Sequence, residues 1–264
     1  MRSTTTTVFS LLLLLGCSKK ESLFLPSLFA ENMVLQRNAI VQFWGVAGQN
    51  NEVSISTPWG THKGQADDSG KWQIGFSTPN ESPSFSIDIC DLSDCISINK
   101  IVLGEVWLAS GQSNMEMPLK GWPPSDPILN SANEIEQAGN FDLRFFSVDR
   151  QSSLVPAKKV RGKWMLSNPI NAADFSATAF FFAKELYKEL NVPIGIIDSS
   201  WGGTPVESWT SINALRETQF YENTTDNFSE SDARLAEFEK WIAPLTSFPM
   251  PGANSTHSEW MELP

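Results

Sequence analysis

The chain is poor in the residues that build metal and redox centres, with three cysteines and two histidines among 264 residues. That is too few for a zinc cluster, and the acidic stretches lack the Asp-x-Asp-x-Asp-Gly loop of a calcium hand, so no metal is expected. Positive charge is also scarce. Nineteen Lys and Arg against thirty Asp and Glu leave a net charge of -11. No basic cluster offsets it, and a phosphate backbone is repelled, which excludes a nucleic-acid partner. Neither Gly-x-x-x-x-Gly-Lys-Ser/Thr nor a dinucleotide fingerprint occurs, so no cofactor is expected. No apolar run reaches the roughly 20 residues that cross a bilayer as a helix. What remains is ordinary globular material of one to two domains, 41% hydrophobic and 11% aromatic, with ten tryptophans against two tyrosines.

The first residues read as an address. Arg2 precedes a short apolar run, Val8 to Leu15, which closes on Leu14-Leu15-Gly16-Cys17. This resembles a bacterial lipoprotein signal over residues 1–17, in which cleavage after Gly16 leaves Cys17 lipidated and the protein anchored to the membrane of the cell envelope. An ordinary secretory signal is the alternative. In an oxidising compartment Cys90 and Cys95 either staple a local turn or remain thiols.

Two organisations follow one another. Over residues 24–100 the apolar residues alternate, as in Val53 and Ile55, then Trp72, Ile74 and Phe76, then Phe85, Ile87 and Ile89. Turn signals separate these short strands in the manner of a small β-sandwich. From residue 101 the pattern changes. Residues 101–109 form a nearly continuous apolar run, expected of a strand covered on both faces. Residues 175–190 predict a helix capped by Asp174 or Ser176, with Phe180, Ala183, Leu186, Tyr187 and Leu190 on one stripe. Residues 192–197 are a second buried strand, so strand, helix and strand make a parallel pair and an α/β region over 101–264.

Chemistry in parallel sheets gathers at the carboxyl ends of strands. The first strand runs into Ser110-Gly111-Gln112-Ser113-Asn114-Met115. A serine in such a turn exposes its hydroxyl, and its own amide can bind an oxyanion. The second runs into Asp198-Ser199-Ser200-Trp201-Gly202-Gly203-Thr204, where paired glycines let the backbone approach a ligand, so the amide of Gly203 or Gly202 can face the same carbonyl oxygen.

Together, Gly104-Glu105-Val106-Trp107, Gly111-Gln112-Ser113-Asn114-Met115 and Trp201-Gly202-Gly203-Thr204-Pro205-Val206-Glu207-Ser208-Trp209 resemble the sialate O-acetylesterase family of SGNH hydrolases. The stretch from Leu25 to Arg37 is similar to the start of that family's N-terminal β domain, and Phe43-Trp44-Gly45 to its next strand. The resemblance implies an N-terminal small β-sandwich followed by a three-layer α/β/α hydrolase domain with a parallel sheet. It implies Ser113 as nucleophile toward O-acetylated sugars or glycans, with oxyanion donors from Ser113 and from Gly203 or Gly202.

The sequence departs from the family in two respects, the first being that the third oxyanion donor the family supplies from a later block does not appear. A serine hydroxyl needs a base, which the family supplies from a late Asp-x-x-His, and none occurs. His62 is expected in a solvated turn. His257, in Asn254-Ser255-Thr256-His257, has asparagine where the motif needs aspartate. Ser258 to Pro264 is similar to the opening of a β domain that many members insert, implying that residues 101–264 are the N-terminal part of a truncated hydrolase domain. The alternative is a non-catalytic glycan-binding lipoprotein on the same scaffold. Glu207 either orients the pocket or caps a segment, and Trp122 and Trp209 either stack on sugar or pack locally. Residues 217–240 read as an acidic linker, with Leu235, Phe238, Trp241 and Ile242 marking an amphipathic helix.

Overall fold

The structure is a computed structural model that describes residues 22–151, 159–211 and 214. The signal over 1–17 with Cys17, the acidic linker, its helix and His257 lie outside them. The chain divides after Thr204 into two units.

In the first unit the alternating segments become strands: β1 Val34–Gln36, β2 Ile40–Val46, β3 Glu52–Thr57, β4 Gly60–Gln65, β5 Lys71–Ser77 and β6 Phe85–Cys90. β2 pairs antiparallel with β5, β3 with β4, and β6 with β3. Period-two alternation turns Phe43, Val53, Ile55, Ile74, Phe76, Ile87 and Ile89 into one shared core. Cys90 and Cys95 form a disulfide across the turn that follows β6. Asp91 braces this turn, accepting from the Ser93 and Asp94 amides at 2.8 Å each. His62 is not in a solvated turn. It lies in β4, where it stacks on Phe76 with ring centroids 4.7 Å apart.

The strand expected at 101–109 is longer, running unbroken as β7 from Cys95 to Gly111. Its first part pairs antiparallel with β6, and Val102 to Gly104 pairs parallel with β1. Just before the change of partner, where the β6–β7 register shifts so that Ile87 faces Ile98 but Phe85 faces Ile101, Lys100 adopts φ 57°. This left-handed conformation is costly for a residue with a side chain, and it bends the strand where its partners change. The buried Arg144 guanidinium grips the bend, donating to the carbonyls of Lys100 at 2.6 Å and Asn32 at 3.1 Å.

Beyond the bend β7 enters a parallel layer with β8 Leu143–Val148 and β10 Ile194–Ser200, closed by the antiparallel β9 Gly162–Leu166. β10 lies between β7 and β8. Three short helices, α1 Ser113–Glu116, α2 Ser131–Glu136 and α3 Pro169–Ala173, precede the longer α4, Ala177–Leu190. Of the two caps considered, Ser176 serves, accepting from the Ala179 amide at 3.1 Å. Of the expected stripe of α4, Phe180 and Ala183 are buried and Leu186 and Tyr187 pack against the same core, and only Leu190 departs. Leu190 is 42% exposed, whereas Ala179, Phe180 and Ala183 are buried beside Lys184, whose ammonium pairs with Glu134 of α2. Phe180 joins Phe145 and Phe175 in a second core, where each buried ring contributes roughly 1.5–3 kcal/mol.

The result is an α/β fold with a mixed sheet. Among the described residues no helix is long and apolar enough to cross a membrane. In the second unit, Val206–Trp209 forms a 3-10 turn that includes Glu207, with the Thr210 amide donating to the Glu207 carbonyl at 3.2 Å. The Glu207 side chain makes no cap there.

Candidate active site

Ser113 opens α1 directly after β7 ends, which holds its half-buried side chain at the carboxyl edge of the parallel layer. A helix of four residues cannot hold itself, so α4 supports it. The hydroxyls of Ser176 and Thr178 donate to the carbonyls of Met115 at 2.5 Å and Asn114 at 2.8 Å. The Trp201 amide donates to the Gly111 carbonyl at 2.9 Å, carrying the β7–β10 pairing one residue past the strands. The Ser113 loop and the glycine turn are thereby fixed to each other.

The glycines divide the work of the turn. A Cβ on Gly202 would stand 3.1 Å from Ser113 Oγ and would overlap the Glu116 carboxylate, so any side chain there would have to displace Glu116 from the amide it holds. Gly203 adopts φ 78°, and nothing lies within 4 Å of where its Cβ would be. Its requirement is conformational rather than spatial. The amides of Ser113 and Gly203 make no hydrogen bond to any described residue, whereas the Gly202 amide donates to the Glu116 carboxylate.

Charged side chains from all three parallel strand ends meet behind this turn. Glu116 accepts from Arg150, which follows β8, as well as from Gly202. Asp198, on β10, has a buried Oδ1 with no hydrogen-bond partner among the described residues. Burial pushes its carboxyl above the ordinary aspartate range, aided by the Glu116 charge and opposed by the Ser200 hydroxyl and Arg150. Among the described residues no group of His, Cys, Asp and Glu is arranged to hold a metal ion.

No protein-family model matches the chain. Over 132 residues it is 34% identical to the sialate O-acetylesterase of Rattus norvegicus, a match covering 46% of this chain and 23% of that protein. The sialate O-acetylesterase of Homo sapiens is 32% identical over 130 residues, covering 46% and 24%. The solved structure of a carbohydrate acetylesterase from Xanthomonas citri superposes with a TM-score of 0.69 at 30% identity, covering 75% of this chain and 44% of that one. The chain is thus similar to sialate O-acetylesterases over part of its length and to a carbohydrate acetylesterase in fold. The match to the curated relatives spans under a quarter of their length.

In this chain Ser113, Gly202 and Gly203 lie together in the first unit, while Glu207 and Trp209 belong to the second. Trp122 sits in a local turn, exchanging backbone hydrogen bonds with Asp126 at 3.0 and 3.1 Å. His62 is held in β4 and His257 lies outside the described residues, so no described histidine joins the cluster. Sequence reasoning missed Glu116 and Arg150. Glu116 stands one helical turn after Ser113, and that spacing alone was the signal available for it.

Proposed function

We propose that the chain is part of a serine carbohydrate esterase that removes O-acetyl groups from sialic acid or a related acetylated glycan. The observation behind this reading is the Ser113 hydroxyl set against the Gly202–Gly203 turn, with the amides of Ser113 and Gly203 unused by described residues. The names of the esterase relatives support it.

In this reading Ser113 Oγ attacks the acetyl carbonyl while its proton passes to a base. The carbonyl oxygen takes up negative charge, which the amides of Ser113 and Gly203 stabilise. Collapse expels the sugar hydroxyl, protonated by that same base, and leaves an acetyl ester on Ser113. Water then releases acetate by the same steps. The base is an imidazole supplied from outside the described residues.

Acetate release by the full-length protein from O-acetylated sialic acid and from acetylated glycans tests the proposal. Ser113→Ala is expected to lower turnover by roughly 10⁴-fold or more. Trapped substrate is expected to leave one acetyl group on Ser113 by mass spectrometry. Undiminished turnover in Ser113→Ala would overturn the assignment, and glycan binding without any turnover would favour the non-catalytic reading.

We further propose that Cys17 is lipidated and holds the mature protein at the bacterial envelope, a reading supported by the apolar run closing on Gly16-Cys17. Cys17→Ser should lose both a palmitate label and sedimentation with membranes. Retention of both would reject the anchor.

A further inference from the structure

We infer that Glu116 is a positioning residue for the oxyanion site, fastening the Gly202 amide and the Arg150 guanidinium so that the Gly203 amide is held toward Ser113. The inference rests on the esterase reading and deepens it.

Four observations converge. The Glu116 carboxylate has two oxygens, and each has its own partner: Oε2 accepts from the Gly202 amide and Oε1 from Arg150. The Glu116 side chain is 18% exposed, so its carboxylate is largely withdrawn from water, although Arg150 reaches it from a half-exposed position. Gly202 stands against the Ser113 hydroxyl, since a Cβ on it would lie 3.1 Å from Oγ. Gly203, next in the chain, sits at φ 78° with open space where its Cβ would be and no hydrogen bond from its amide to a described residue, so we take its orientation to follow the anchored residue before it.

This geometry separates the roles of two adjacent amides. The Gly202 N–H is committed to a carboxylate and is withdrawn from the oxyanion, leaving Gly203 to donate. Arg150 neutralises Glu116. Without it, a carboxylate so near Ser113 would oppose negative charge developing on the substrate oxygen. Glu116 thus joins the ends of three parallel strands: β7 through Ser113, β8 through Arg150 and β10 through Gly202. A displacement of about 1 Å in such a supporting group is enough to cost catalysis up to about a hundredfold.

The test uses full-length protein and two independent readouts. The first is amide hydrogen exchange followed by NMR of glycine-labelled protein. Exchange at Gly202 is expected to accelerate at least tenfold in Glu116→Ala, while Gly195 within β10 is unchanged and reports an intact fold. Glu116→Gln, which retains an acceptor oxygen, should restore much of the protection. The second readout is acetate release. Glu116→Ala should lower kcat by about tenfold to a hundredfold with KM within about twofold, and Glu116→Gln should fall between. Unchanged exchange at Gly202 in Glu116→Ala would overturn the inference, as would accelerated exchange with kcat unaffected. A wild-type protein without turnover would instead defeat the esterase reading, and the exchange experiment would still decide whether Glu116 anchors the turn.

Discussion

Gly104 and Pro193 meet where β10 begins beside β7. The Pro193 carbonyl accepts from the Glu105 amide at 3.0 Å and occupies the space that a Cβ on residue 104 would need. This contact starts the register that pairs Ile194 with Glu105 and, six residues later, Ser200 with Gly111. The alignment of the glycine turn with Ser113 therefore begins one strand length away from it. Gly104→Ala should destabilise the protein by about 1–3 kcal/mol through overpacking against backbone. Thermal unfolding would register this, and an unchanged midpoint would show that β10 can slide without cost.

Gly203→Ala separates conformation from space. Nothing crowds its Cβ, so any effect comes from the φ of 78°. We expect a modest stability loss, about 1–2 kcal/mol, and a kcat loss of roughly a hundredfold if the tilted amide no longer meets the oxyanion. Steady-state kinetics with a thermal midpoint would distinguish the two. Full kcat in this variant would move the donor elsewhere.

Arg144→Ala removes the grip on the bend at Lys100. Two charge-assisted hydrogen bonds to carbonyls disappear from a buried setting, so a loss of about 2–4 kcal/mol in chemical denaturation is expected. A loss below 0.5 kcal/mol, roughly the ordinary surface effect, would mean that the bend holds without it.

Asp198 gives a pH test. Its folded pKa is raised by burial, so its contribution to stability is fully present below the ordinary aspartate value, about 3.9, and is lost as pH rises through the folded value. Above that value its buried charge opposes folding. Asp198→Asn should raise the thermal midpoint at pH 7, with the advantage shrinking as the solution is acidified toward pH 4. A lower midpoint at pH 7 would show that the charge is needed by Arg150.

Asp91 works in the opposite sense. Although partial burial favours the neutral acid, hydrogen bonds from Ser93, Asn51 and Asp94 pull its carboxyl down to about 2. Its stabilisation is present above about pH 3.9 and is lost as pH falls toward 2. Asp91→Asn should therefore unfold more easily than wild type at pH 7, and the two should converge near pH 2. Equal midpoints at pH 7 would dismiss the brace.

The strands of the first unit were legible because each buries one face, which writes period two into Trp72, Ile74 and Phe76. α4 and β10 were legible from the cap at Ser176 and the apolar run after Pro193. β8 was not, because Arg144 interrupts Leu143, Phe145 and Phe146, and its role as a buried donor to distant carbonyls has no local sequence mark. The run after residue 100 is buried on both faces only over Ile101 to Gly104, because Trp107 and Leu108 are 45% and 68% exposed against the expectation of a strand covered throughout, and the chain crosses residue 100 without leaving the strand. At the site, the serine and the glycines could be read because turns have local chemistry. The Glu116–Arg150 pair joins residues 34 positions apart, and no periodicity announces such a meeting.

The unbroken run of β7 also bears on how this protein can be taken apart. A deletion drawn at residue 100, where composition changes, would sever a hydrogen-bonded ladder at its bend and separate Arg144 from the Lys100 carbonyl it holds. The N-terminal sheet and the nucleophile loop hang from one continuous strand. Exchange of the N-terminal region between relatives, as a cartridge, would have to carry the matching half of β7 and the residue that grips its bend.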